Sequence, residues 1–226
     1  IYKDIFVPYG KSHPYITNLS VACKYHNVNF DNFDQYSEDE WFSIISHCPT
    51  FKSLLDYQEF TEEVQRWLCI FIGRMCFDIG ELDNWQVLLY LLGQAGAGKS
   101  TILMKIIHQF YDEQDVGVIS NNIDAKFGIK PHANKFVILA PEISETFKME
   151  QTDWQLLVEG GRNTYAEKYK NDETIDWKVP LTMGGNKIMS NKNNSESVSS
   201  RAAVINYKKK VMNTDTEIDK KLLKEL

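Results

Sequence analysis

Apolar positions along the first part of the chain recur at helical spacing. An S-x-x-E capping box at Ser37 precedes an apolar stretch and predicts a short helix that ends near Pro49. A second, longer amphipathic helix is predicted to start at Thr61 and to continue until Gly80. We therefore expect residues 1–82 to form a small, mostly helical domain.

The pattern changes after residue 82 to short, continuous apolar runs of the kind that form strands buried on both faces. The predicted strands are Val87–Leu92, Val116–Ile119, Phe136–Leu139, Val179–Met183 and Ala202–Tyr207. Helical patterns at Lys99–Phe110 and Glu150–Val158 separate some of them. Because strands that alternate with helices are typical of parallel sheets, residues 83–226 are expected to form an α/β core around a central parallel sheet.

Composition narrows the class of protein. The chain is 43% hydrophobic and 25% charged, as in globular proteins, and it has no apolar run near the roughly 20 residues of a membrane span. The four cysteines form no C-x-x-C pair, which favours an intracellular, reducing compartment. The net charge of −6 hides 13 Lys/Arg against 9 Asp/Glu in residues 160–226, so a polyanion would bind there. The chain opens in mid-pattern at Ile1 and is interpreted as a fragment of a longer polypeptide.

Residues 93–100 read GQAGAGKS and match the phosphate-binding pattern G-x-x-x-x-G-K-[ST]. Glycines let backbone N–H groups surround phosphates, Lys99 reaches the β- and γ-phosphates, and the Ser100 hydroxyl binds Mg²⁺. The predicted nucleotide-binding residues are Gly93, Gln94, Ala95, Gly96, Ala97, Gly98, Lys99, Ser100 and Thr101. A predicted strand precedes the pattern and a predicted helix follows it. The chain is therefore expected to bind ATP with Mg²⁺.

A P-loop also needs an acidic residue at the end of a neighbouring strand, to hold Mg²⁺ or to orient the attacking water. Glu142 follows the apolar run at residues 136–139 and fits this position. Pro141 stands where many P-loop proteins carry a second acid. Either Glu142 serves both roles or Glu145 shares them.

The order of features after the P-loop resembles that of superfamily 3 helicases, which are AAA+-related motors. The acidic strand end is followed by a basic stretch at residues 161–172 (GRNTYAEKYKND), by a strand that ends at Asn186, and by Arg201 ahead of the last strand. The likeness covers residues 50–212 and is greatest to the primase–helicases of nucleocytoplasmic large DNA viruses, of the poxvirus and asfarvirus type. The resemblance implies a P-loop NTPase (AAA+-like) core preceded by a helical domain.

The same resemblance implies roles for single residues. Asn186 would act as a polar sensor beside the γ-phosphate, and Arg201 would reach the ATP site of the neighbouring subunit. Lys168 and Lys170 would bind single-stranded DNA from a hairpin in the channel of a homo-oligomeric ring, a hexamer. The catalytic set is then Lys99, Glu142, Asn186 and Arg201.

Other interpretations remain open. One is an AAA+-type ATPase that binds or remodels DNA without unwinding it, and another is a P-loop kinase acting on a small molecule. The run Lys208–Lys210 is interpreted as a solvated face, with DNA contact as the alternative. A linked primase domain could precede the fragment. The viral likeness implies host cytoplasm, with the nucleus as the alternative, and no membrane partner.

Overall fold

A five-stranded parallel sheet forms the centre of the described part of the chain, which comprises residues 40, 45, 48–121, 129–147, 149–165, 172–189 and 200–211 of this computed structural model. The strands within these ranges are β1 (Leu88–Gly93), β2 (Val116–Val118), β3 (Val137–Ile143), β4 (Gly161–Tyr165), β5 (Glu173–Trp177), β6 (Leu181–Gly185) and β7 (Ala202–Tyr207). The sheet order is β2-β3-β6-β1-β7, and every pairing in it is parallel. The predicted α/β class with a central parallel sheet is confirmed.

Helices flank this sheet. They are α1 (Pro49–Tyr57), α2 (Glu62–Arg74), α3 (Lys99–Thr101) and α4 (Gln151–Glu159). The helical path of α3 continues as a π-helical turn at Ile102–Ile106 and a 3₁₀ turn at Ile107–Phe110. Two further 3₁₀ turns lie at Glu113–Asp115 and Lys130–His132.

The two N-terminal helices differ from their predicted bounds. Thr61 caps α2 by accepting a hydrogen bond from the Val64 N–H, as its position predicted, but the helix ends at Arg74 rather than at Gly80. Pro49 begins α1 instead of ending a helix, because the first helical turn does not need the N–H that proline lacks. Most of the helix predicted from Ser37 lies outside the described residues.

The sheet is covered on both faces, which explains its continuous apolar strands. Alternate residues of β1 point to opposite sides. Leu88 and Tyr90 pack in a core that includes Trp154 of α4, whereas Leu89 and Leu91 pack in a second core. The second core is built from the α3 segment and α2, through Ile102, Leu103, Leu68, Phe71 and Ile72. The result is three layers, with the sheet between two apolar cores.

Arg74 links the N-terminal helices to the sheet. Its guanidinium makes a two-pronged ion pair with Asp83, through N–O distances of 2.8 and 2.9 Å. It also donates to the carbonyl oxygens of Trp85 and Val87, just before β1. The boundary at residue 82 remains a prediction. None of the helices in the described ranges is long and apolar enough to cross a membrane.

A two-stranded antiparallel hairpin, β4–β5, lies between α4 and β6 in the chain, and its last pair joins Tyr165 to Glu173. Near that pair, two polar contacts attach the hairpin to α4 and to the Lys130 turn. The Tyr165 hydroxyl donates to Asp153 of α4 at 3.2 Å, and Lys130 pairs with Glu173 at 2.9 Å. Strand β4 is the first part of the basic stretch 161–172, and β5 begins directly after that stretch. Lys168 and Lys170 lie in the segment 166–171, outside the described residues.

Candidate nucleotide-binding site

The P-loop connects β1 to α3 at the carboxyl edge of the sheet. Gly98 caps α3 with a positive φ of 95°, a conformation that favours glycine over residues with a side chain. Gly93 pairs with Tyr207 of the neighbouring strand, and a Cβ at Gly93 would lie 2.5 Å from the Tyr207 carbonyl oxygen. Two glycines of the pattern are therefore required by the backbone path and by close packing.

Lys99 is almost completely buried and lies inside the loop. Its Nζ donates to the carbonyl oxygens of Gly93 and Gln94, at 2.6 and 2.8 Å, and to Asn186 Oδ1 at 3.2 Å. Burial lowers the pKa of Lys99, and the charge of the Glu142 carboxylate acts in the opposite direction. The structure thus brings three predicted residues, Lys99, Asn186 and Glu142, to one place.

Asn186 reaches this place because β6 lies between β1 and β3. Tyr90 of β1 fixes the turn that contains it, since the Tyr90 hydroxyl donates to the Lys187 carbonyl oxygen at 2.8 Å. Gly185 allows the close approach of β3, because a Cβ there would lie 2.6 Å from the Ile143 carbonyl oxygen. The Gly184-Gly185 pair before the asparagine therefore has a packing reason.

Glu142 and Ser100 are exposed to the same pocket, from β3 and α3 respectively. A hydroxyl and a carboxylate are hard oxygen donors, and Mg²⁺ at phosphoryl-transfer sites takes one or two such ligands together with phosphate oxygens. Within the described ranges there is no group of three or more His, Cys, Asp or Glu residues placed to hold a metal. Ser100 and Glu142 therefore suit Mg²⁺ that arrives with a triphosphate.

Two polar residues, Asn121 and Glu145, make hydrogen bonds or ion pairs near the end of β3. Asn121 donates to the Glu142 carbonyl oxygen at 2.8 Å and accepts from the Ser144 N–H at 2.7 Å, so its amide bridges both sides of Ile143. Glu145 also lines the pocket, where it pairs with Lys187 at 2.7 Å. Asn121 was not predicted from the sequence, because nothing in its surroundings marks it.

The pocket around these residues has a volume of about 640 Å³ and extends well beyond the P-loop. Its lining includes Lys99, Ser100, Glu142 and Asn186. It also includes Ser53, Leu54 and Tyr57 of α1, and Val211 beyond β7. A cavity of this size holds a drug-sized ligand.

Arg201 lies apart from this pocket. It precedes β7, and its carbonyl oxygen accepts from the Leu88 N–H at the amino end of β1. The six residues of β7 span about 20 Å, so roughly that distance separates Arg201 from the P-loop of its own chain. Its guanidinium forms an ion pair with Glu159, the last residue of α4.

Comparison with known proteins gives likeness of structure only. No protein-family model and no curated protein matches the sequence. Two apo A-form structures of the NrS-1 C-terminal region align with TM-scores of 0.52 and 0.54, at 16% and 15% identity, over 81% and 78% of this chain. The match covers 41% of the NrS-1 chain in both cases, so this chain spans less than half of that protein's length.

A JCV helicase bound to a small molecule aligns with a TM-score of 0.42 and 12% identity, over 70% of this chain and 44% of that chain. That likeness is too low to establish a shared fold. The NrS-1 likeness and the sheet order support the fold. With the P-loop at the end of β1, they define a P-loop NTPase-like core, as the sequence predicted.

Proposed function

We propose that this chain is the ATPase core of a DNA helicase, a superfamily 3 motor like those in the primase–helicases of nucleocytoplasmic large DNA viruses. The observation that carries the proposal is the β4–β5 hairpin, inserted between α4 and β6 of a P-loop core. A P-loop core alone is compatible with many different functions. Two paired strands that flank a lysine-bearing segment of the sequence, ahead of the strand that precedes Asn186, fit a motor that moves DNA.

The residues at the carboxyl edge of the sheet have different roles in ATP hydrolysis. Backbone N–H groups of the P-loop and Lys99 bind the β- and γ-phosphates, while Asn186 and Glu142 orient the water that attacks the γ-phosphate. Ser100 and Glu142 would hold Mg²⁺, which would supply neutralisation of the phosphate charge. The contact between Lys99 and Asn186 at 3.2 Å supports this arrangement.

Arg201 completes the site of a neighbouring subunit. A guanidinium neutralises charge that spreads over the transferred phosphoryl oxygens, but Arg201 lies about 20 Å from the P-loop of its own chain, which is too far for this contact. A head-to-tail ring, a hexamer, would bring each Arg201 to the next P-loop. ATP hydrolysis would then require assembly.

Single-stranded DNA would bind at the hairpin tip in the channel of this ring. Lys168 and Lys170 have the same parity, so in an extended tip both would face one way and bind neighbouring phosphates. Changes at the nucleotide would move the hairpin and draw the strand through. The intracellular setting follows from this role, in the host cytoplasm where such viruses replicate.

The test is ATP hydrolysis by the purified chain with and without single-stranded DNA. Stimulation by DNA that the Lys99→Ala variant lacks supports a DNA motor, and a small-molecule kinase would ignore DNA. Stimulation without strand displacement on a tailed duplex would favour an ATPase that remodels DNA. No hydrolysis under either condition would contradict the proposal.

A further inference from the structure

Gln58 is a buried polar residue outside the motifs that define the site. It follows α1 directly and is 3% exposed. Its amide nitrogen donates to the carbonyl oxygens of Ala97 and Lys209, at 3.0 and 2.8 Å. Its amide oxygen accepts from the Lys209 N–H at 3.0 Å. One side chain therefore joins α1, the P-loop and the segment after β7.

The segment 208–211 runs beside the P-loop once β7 has ended. The Val211 N–H donates to the Gly96 carbonyl oxygen at 3.0 Å. The Tyr57 hydroxyl donates to the Lys210 carbonyl oxygen at 3.0 Å, and Lys209 pairs with Glu59 at 2.7 Å. The backbone of the lysine run thus bonds to Tyr57 and Gln58, and Val211 directly after it bonds to the P-loop, so the run forms more than a solvated face.

The bond to Ala97 has a consequence for phosphate binding. In a trans peptide unit the C=O and the next N–H point in opposite directions. Because Gln58 holds the Ala97 C=O, the Gly98 N–H points away from Gln58. Gly98 lines the pocket, whereas Gln58 does not. Correct aim matters, because a misdirected donor binds a phosphate oxygen poorly.

We infer that Gln58 is a positioning residue for the phosphates of a nucleoside triphosphate, acting through the Ala97–Gly98 peptide. This inference rests on the proposed function, since it needs ATP as the ligand. It also gives the helical segment before the core a direct part in the nucleotide site. The sequence carries no sign of it, because Gln58 is 39 residues from Ala97 and 151 from Lys209.

Gln65 offers a matched control. It is 4% exposed, and its amide nitrogen donates to Asp56 at 3.2 Å and to the Phe60 carbonyl oxygen at 3.0 Å. Both contacts lie within the N-terminal helical segment and not at the P-loop. Gln58→Met and Gln65→Met therefore remove comparable buried hydrogen bonds with the same change of shape.

The experiment measures the Kd of the fluorescent analogue mant-ATP, the KM and kcat for ATP, and the urea midpoint of each variant. We expect Gln58→Met to raise Kd and KM about 10-fold, the size of one lost charge-assisted hydrogen bond, with kcat changed much less. Gln65→Met should leave Kd and KM within about two-fold of wild type, at a similar loss of stability.

Equal effects of the two substitutions on Kd, with wild type binding mant-ATP normally, would overturn the inference and leave the proposed function intact. Failure of wild type to bind mant-ATP would instead overturn the proposed function. Should Gln58→Met not fold, Gln58→Glu keeps the bond from the Lys209 N–H and loses the amide donors. A wild-type Kd for Gln58→Glu would likewise overturn the inference.

Discussion

Arg201 provides a sharp prediction, because its place in the fold excludes action on the nucleotide of its own chain. It precedes β7, whose six residues set it about 20 Å from the P-loop. If it serves a neighbouring site, Arg201→Ala should lower kcat by about 10³-fold or more, the range seen for arginine fingers. The Lys99→Ala variant should also be inactive, because it loses the phosphate-binding ammonium.

Mixing the two inactive variants tests the shared site. In a ring of randomly mixed subunits at equal amounts, about one quarter of the interfaces pair an intact Lys99 with an intact Arg201, so about one quarter of wild-type ATPase activity should return. The assay is steady-state phosphate release, with ring formation checked by light scattering. Mixed rings without recovered activity would refute the argument.

Glu159→Gln is the matched control for this experiment. It breaks the ion pair with Arg201 but leaves the arginine in place. If Arg201→Ala acts only by breaking that pair, then Glu159→Gln should be equally inactive. We expect it instead to keep most of the activity.

Three further predictions concern the pocket and the hairpin. Burial lowers the pKa of Lys99, so its ammonium should lose its proton at a lower pH than that of an ordinary lysine. Affinity for mant-ATP should therefore weaken as pH rises, before the usual lysine pKa is reached. An affinity that stays constant up to the usual lysine pKa would contradict this. Gly185→Ala places a Cβ 2.6 Å from a carbonyl oxygen of β3 and should lower kcat for ATP about 10-fold or more by displacing Asn186, the proposed sensor. Gly73→Ala, with open space around it, should be neutral in the same assay. Replacing Lys168 and Lys170 by alanine should weaken single-stranded DNA binding and reduce its salt slope by about one to two, measured by fluorescence anisotropy; unchanged affinity would remove the hairpin from the DNA site.

The parts of the fold that follow local rules were predictable from the sequence. Apolar runs marked the five parallel strands, and the final strand was predicted with its observed bounds, Ala202–Tyr207. Helical spacing of apolar residues predicted a helix start at Thr61, and in the structure its hydroxyl accepts from the otherwise unpaired Val64 N–H. The prediction that a helix ends near Pro49 did not anticipate the helix that begins there, because proline is compatible both with the end of one helix and with the first turn of another.

The candidate site was predictable only in part. The P-loop pattern by itself predicts phosphate binding. Parallel strands bring their carboxyl ends to one edge of the sheet, so Lys99, Glu142 and Asn186 could be expected to lie close together. Gln58 and Asn121 could not, since each acts through a side-chain amide on backbone groups that are distant in sequence. Such contacts depend on three-dimensional packing and have no spacing to detect.

The most direct test of a DNA motor is displacement of a labelled strand from a duplex with a single-stranded tail. The assay compares wild type with Lys99→Ala and Arg201→Ala, in the presence of ATP and Mg²⁺. We predict displacement by wild type that requires hydrolysable ATP and is lost in both variants. Displacement that persists without ATP hydrolysis, or its absence from assembled wild-type rings that hydrolyse ATP, would contradict the account.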